Sequence, residues 1–232
     1  MKRLIQFDIT SVTPEQSAVL SHQGLPEGTL PGIAIKQLLN AAYTEFERLC
    51  RPVGITEEVA AADFPRIFNG EDQNHHDSPI NQIYPQARQL TLFVITMGTE
   101  VSDRIAELFK VNDYALGAML DSVASMAADQ AASVIENRVA DQYCTQADAA
   151  LAYSPGYCGW HISGQKRLFQ HLNPAEIGIT LNSSYLMSPV KSVSGVVISG
   201  PSKIHKFVPK FNFCKECRTK SCVERIAELQ LD

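Results

Sequence analysis

The sequence has no apolar run long enough to cross a bilayer: its longest such stretches, residues 90–97 and 193–198, fall far short of the roughly 20 residues a span requires. It also lacks a secretory leader pattern, because Asp8 interrupts the apolar run that would have to follow Lys2 and Arg3. The expectation is a cytoplasmic protein. Positive charge is in short supply, with 20 Lys and Arg against 25 Asp and Glu and a net charge of -5. That argues against a nucleic-acid binder, which needs a basic patch to displace counterions from phosphates. No Gly-x-x-x-x-Gly-Lys-Ser/Thr loop occurs, so ATP-dependent chemistry is not expected. Nor can a nucleophile, a base and an orienting acid be assembled from spacing alone. Cysteine is scarce: there are 6, too few for a disulfide framework, and three of them crowd into residues 214–222. In a reducing compartment that crowding points to metal ligation.

The remaining pattern is that of a mixed α and β chain. Residues 4–9 read as a short strand, and Ile35, Leu38, Leu39, Ala42, Phe46 and Leu49 recur at helical spacing over residues 31–49. Residues 69–79 are the most polar stretch and read as an exposed loop; its neighbours His75 and His76 are read as solvated, with no role assigned. Residues 90–97 form a β-branched and aromatic run that Gly98 ends before helical spacing resumes at Glu100. A long helix follows from Asn112, its expected N-cap, to about Tyr143, and its spacing aligns Asp121, Ser125 and Asp129 on one face beside Ala124, Ala128 and Ala132. The chain turns irregular at residues 152–164, returns to helix over 165–172, and offers strands at 177–181 and 193–199. Strands and helices of mixed order, without βαβ alternation, predict an α+β fold with a largely antiparallel sheet and flanking helices. Residues 1–205 are expected to form one domain, with 201–209 as a linker and 206–232 as a cysteine-rich metal-binding tail.

Two stretches carry chemistry. In Ala152-Tyr153-Ser154-Pro155-Gly156-Tyr157 a proline fixes φ, a glycine lets backbone approach a ligand, and a tyrosine projects a ring and a hydroxyl. The second is Met187-Ser188-Pro189-Val190-Lys191-Ser192-Val193-Ser194-Gly195. Together they resemble the S-adenosylmethionine-binding activation domain of cobalamin-dependent methionine synthase, whose pattern is Arg-x-x-x-Gly-Tyr followed by Met-x-Pro-x-x-Ser-Val-Ser-Gly. The likeness extends weakly back to about Pro85, and residues 1–80 and the cysteine tail lie outside it. It implies that Ser154, Pro155 and Gly156 hold the methyl donor through backbone groups and that Tyr157, the expected catalytic position, faces the cobalamin of a partner protein. It also implies an acidic partner for the donor's ammonium group, matched by Asp129 or, one or two turns away, by Ser125 or Asp121. The family's arginine, which suits the donor's carboxylate, is replaced by Ala152, and Lys191 is the nearest cation to stand in for it.

Cys214, Cys217 and Cys222 supply three thiolates at metal-binding spacing, with Cys158 as the expected fourth ligand, Cys144 next, and Cys50 read as a buried apolar residue. Spacing leaves zinc and an iron-sulfur cluster both open. The resemblance favours the cluster, because returning cob(II)alamin to cob(I)alamin needs an electron, delivered by a donor of the ferredoxin or flavodoxin kind. Gln165, Lys166 and Arg167 read as a solvated face, Trp160 as a packed indole and His161 as a hydrogen-bonded ring. The implied activity is reductive methylation of a partner's cobalamin. The alternative is a docking module or electron relay that does not use S-adenosylmethionine.

Overall fold

The computed structural model describes residues 1–26 and 28–206, so Cys214, Cys217 and Cys222 lie outside the described residues. Five strands form one fully antiparallel sheet in the order β1 (Lys2–Gln6), β2 (Val53–Val59), β3 (Gln89–Thr96), β7 (Ser192–Pro201), β4 (Asp148–Tyr153). A separate two-stranded hairpin joins β5 (Thr180–Leu181) to β6 (Met187–Ser188). The α+β class with an antiparallel sheet and flanking helices is the observed one. β3 and β7 sit at the centre because both carry near-continuous apolar runs that two covered faces require, and they pair from Gln89↔Ser199 to Thr96↔Ser192.

Alternation divides the core into two layers. One face carries Phe93, Ile95 and Val197 and is covered by α1 (Ile9–Val12), α2 (Gln16–His22), α3 (Ile33–Leu49), α6 (Thr99–Lys110) and above all α7 (Tyr114–Tyr143). The other carries Leu92, Val94, Val196 and Ile198 under α4 (Phe64–Phe68), α5 (Ile80–Ile83) and α8 (Gly164–Leu172). Among the described residues no helix is long and apolar enough to cross a membrane.

Several local expectations are corrected. α7 is capped by Asp113, whose carboxylate accepts the Leu116 amide, while Asn112 takes a left-handed conformation one residue earlier. Ile35 is 39% exposed, so the buried stripe of α3 narrows to Leu39, Ala42 and Phe46. Residues 174–177 make a 3₁₀ turn, which cuts the strand expected at 177–181 to two residues. The supposed linker begins inside the body: Ser202–His205 is a 3₁₀ turn with Ile204 and His205 buried. β2 and β4 lie outside every strand that the sequence predicts.

Candidate functional site

β4 runs out at Tyr153, opposite Val196, and the chain then folds into a compact turn. Tyr157 N donates to Ser154 O at 3.2 Å, Gly156 N to Trp160 O at 2.7 Å and Trp160 N to Tyr157 O at 2.9 Å. Gly156 has φ +97, a left-handed value, and a Cβ there would meet only Ile162 at 3.5 Å, so conformation rather than crowding calls for glycine. Pro155 is buried, whereas Gly156 is exposed and Tyr157 keeps 49% of its surface open. The turn presents its glycine and tyrosine outward on a buried proline.

Trp160 anchors this turn from below. It is 1% exposed and packs its ring 6.0 Å from Phe64 and 5.5 Å from Phe68, as a packed indole should. His161 is the hydrogen-bonded ring expected, sharing Nδ1 with Ser163 Oγ at 2.9 Å. Gly164 makes room for the tryptophan, since a Cβ at 164 would lie 2.2 Å from the indole nitrogen. The polar 69–79 loop is tied to the turn: Asn74 Oδ1 accepts the His161 amide, Ser78 Oγ donates to Cys158 O, and His75 N donates to Gly159 O.

The second sequence stretch meets the first by contact. A Cβ on Gly195 would fall 2.3 Å from Tyr153 O and 3.0 Å from Ser154 Oγ, so the strand can pass under the turn only as glycine. On the other face Ser194 donates its hydroxyl to Gln165 Oε1 at 2.6 Å, both side chains buried. Gln165 is therefore not part of a solvated face; it fastens α8 to β7. Sequence spacing gave no sign of it, because a glutamine between a glycine and a lysine at a helix start carries no burial signal.

Along α7, Asp121, Ser125, Asp129, Ala132 and Glu136 follow at three- and four-residue steps and share one stripe of the helix. Lys191 is 9% exposed and reaches this stripe at one end, its Nζ lying 2.7 Å from Asp121 Oδ1 and 2.8 Å from Ser125 Oγ. At the other end Glu136 accepts the Ala152 amide. Ser125 and Glu136 are three turns apart, about 16 Å along the helix axis. Lys191 is thus committed to Asp121 and Ser125 and far from position 152, whose backbone amide is held by the Glu136 carboxylate. Asp129 lies between them and is exposed, yet burial of its carboxyl still raises its pKa, with the His22 ring pulling the other way.

Cys158 is partly buried against the layer under α8, in a left-handed conformation with φ +51. Cys144 is partly exposed, and Cys50 is buried as expected, its thiol pushed up to about 12 by desolvation. Among the described residues the one group of three close ligand-type side chains is His75, His76 and Asp77, all exposed.

No curated protein sequence matches the chain. A solved structure described as the MetH reactivation domain bound to AdoHcy matches with a TM-score of 0.63 at 16% identity, over 87% of this chain and 79% of that one. This likeness in fold reaches well beyond the sequence stretches that carry the resemblance. Residues 74–210 match the family model for the activation domain of vitamin B12 dependent methionine synthase, and the chain belongs to that family.

Proposed function

We propose that this protein is an accessory factor of corrinoid methyl transfer, acting in the cytoplasm: it docks on a separate cobalamin protein and promotes its reductive reactivation, with S-adenosylmethionine as methyl donor. The observation that carries this reading is the contact of Gly195 with Tyr153 and Ser154, which brings both family stretches to one end of the sheet. S-adenosylmethionine would supply the methyl group, while the cobalt belongs to the partner.

The residues fit the donor unevenly. Gly156 leaves backbone open to a ligand, Tyr157 stands free to meet a corrin, and Asp129 offers a carboxylate for an ammonium group. The carboxylate end does not fit as the family's does, because Glu136 rather than a cation stands at Ala152. Loss of a charge-assisted hydrogen bond, about 1.5 to 3 kcal/mol, lowers affinity by roughly ten- to a hundredfold. Calorimetric titration with S-adenosylmethionine tests this: weak saturable binding is expected, and Ala152→Arg combined with Glu136→Gln should tighten it. Absence of heat from both folded proteins would retire the methyl-donor role.

Glu136 at Ala152 also favours a second reading, a corrinoid-docking module that has given up the methyl donor. Reactivation assays with a cobalamin-loaded methionine synthase lacking its own activation domain separate the two. Under the second reading the chain would bind and change the cob(II)alamin spectrum with no dependence on S-adenosylmethionine. Cys214, Cys217 and Cys222 belong to the same proposal as thiolate ligands of an iron-sulfur relay fed by a ferredoxin or flavodoxin, with Cys158 the nearest fourth thiol to the turn in sequence. Stoichiometric zinc without iron or acid-labile sulfide in anaerobically purified protein would reduce the tail to a structural clip.

A further inference from the structure

On the same sheet face as Ala152, but across α7 from it, lies a cavity of about 210 Å³ between β1, β2, β3 and the C-terminal half of the helix. Register fixes the relation: Thr91 pairs with Val197, and Val197 with Ala152, so cavity and β4 edge are two strands, about 10 Å, apart. Adjacent residues of α7 serve the two places, Ile135 lining the cavity while Glu136 holds the Ala152 amide.

Its lining is divided by chemistry. Leu4, Ile5, Ile135 and Val139 form an apolar wall. Thr91 contributes to the floor; it is 6% exposed and its hydroxyl has no hydrogen-bond partner among the described residues. A buried hydroxyl left unpaired is destabilising, so a ligand oxygen that reached it on entering the cavity would be stabilised. Of the charges at the cavity, Arg3 and Glu58 neutralise each other at 3.2 Å, and Tyr143 donates its hydroxyl to the same Glu58 carboxylate at 2.7 Å. Arg138 remains. Its guanidinium lies over the Phe7 ring at 5.6 Å, with no carboxylate at ion-pair distance among the described residues. One side-chain cation without a carboxylate partner, one orphan hydroxyl and an apolar wall make up a site for a single negative charge on a short hydrocarbon body.

We infer that this cavity is a binding site for a small apolar monocarboxylate, its carboxyl held by Arg138 and Thr91 and its body against Ile135 and Val139. An apolar cavity of about 150 Å³ takes up benzene, so a six-carbon or monocyclic acid matches the space here. The site does not depend on cobalamin or on the methyl donor.

Hexanoate and benzoate, with hexanol as the uncharged control, are the probes, titrated into the full chain and followed by calorimetry and by amide chemical shifts. Saturable binding of the acids is expected, with shifts centred on Thr91, Arg138 and Val139. Arg138→Gln should weaken it about tenfold. Thr91→Val should also weaken it while raising the melting temperature of the free protein, because it removes an unpaired buried hydroxyl without changing shape. Val139→Phe, which fills the cavity, should abolish binding in a folded protein. Hexanol binding as tightly as hexanoate would overturn the carboxylate assignment. So would acids that bind unchanged to Val139→Phe, or no saturable shift at these residues with any probe.

Discussion

At the scale of single residues, two positions answer to opposite demands. Gly195 is needed for its missing side chain, since a methyl group there would have to displace the Tyr153 carbonyl from 2.3 Å. Gly195→Ala is expected to cost about 1–3 kcal/mol through overpacking and to lower affinity for any ligand of the turn, both readable from urea unfolding and calorimetry. A neutral effect on stability would mean that turn and strand are not held in contact. Asp129, the proposed ammonium partner, carries a charge that its surroundings disfavour. Desolvation raises its folded pKa above the unfolded value, so the ionised group destabilises the protein above that raised value, and the penalty disappears as pH falls below the unfolded pKa. Asp129→Asn should accordingly melt at a higher temperature than the parent at neutral pH, with the gap closing in acid, and should at the same time weaken S-adenosylmethionine binding. A stabilised variant with unchanged affinity would move the ammonium partner elsewhere on α7.

At the scale of elements, Lys191 ties the start of β7 to α7 by way of Asp121 and Ser125. Asp121 keeps 42% of its side chain exposed, so the pair is only half removed from water and Lys191→Met should cost about 1–2 kcal/mol. Because the lysine is already occupied, affinity for S-adenosylmethionine should change by no more than about twofold in the same variant; a large loss would restore Lys191 as a direct ligand. This element also marks the limit of what the sequence discloses. The helical stripe of Asp121, Ser125 and Asp129 was legible from spacing, and so were β3, β7, α6 and α7, whose apolar periods are strong. β2 was not, because Gly54, Glu57 and Glu58 break its pattern, although Gly54 is required there: a Cβ would lie 2.9 Å from Val94 O. β4 was hidden by its alanines, which carry little strand preference, and by its place at the sheet edge. The partners of Lys191 and Gln165 depend on how elements cross, which no local period encodes.

For the whole molecule, the proposed function turns on which surface would meet a cobalamin protein. Tyr157 is 49% exposed and Gly156 beside it is open, while the turn beneath them is held by Pro155, Trp160 and three backbone hydrogen bonds. Leu186 and Val190, 58% and 73% exposed, stand on the segment leading into β7 at the same end of the sheet. Under the proposed function this half-exposed ring on its hydrogen-bonded turn is the group that would meet the corrin. Tyr157→Phe removes only a hydroxyl that is open to water, so unfolding should change by less than about 0.5 kcal/mol. In the docked complex the same hydroxyl can hydrogen-bond a water near the cobalt, and its loss should alter the cob(II)alamin spectrum or slow reactivation without weakening the association itself. Spectra recorded at saturating protein, beside a pull-down of the cobalamin partner, separate the effects. Docking intact and both spectrum and rate unchanged would mean that the corrin faces another part of the molecule.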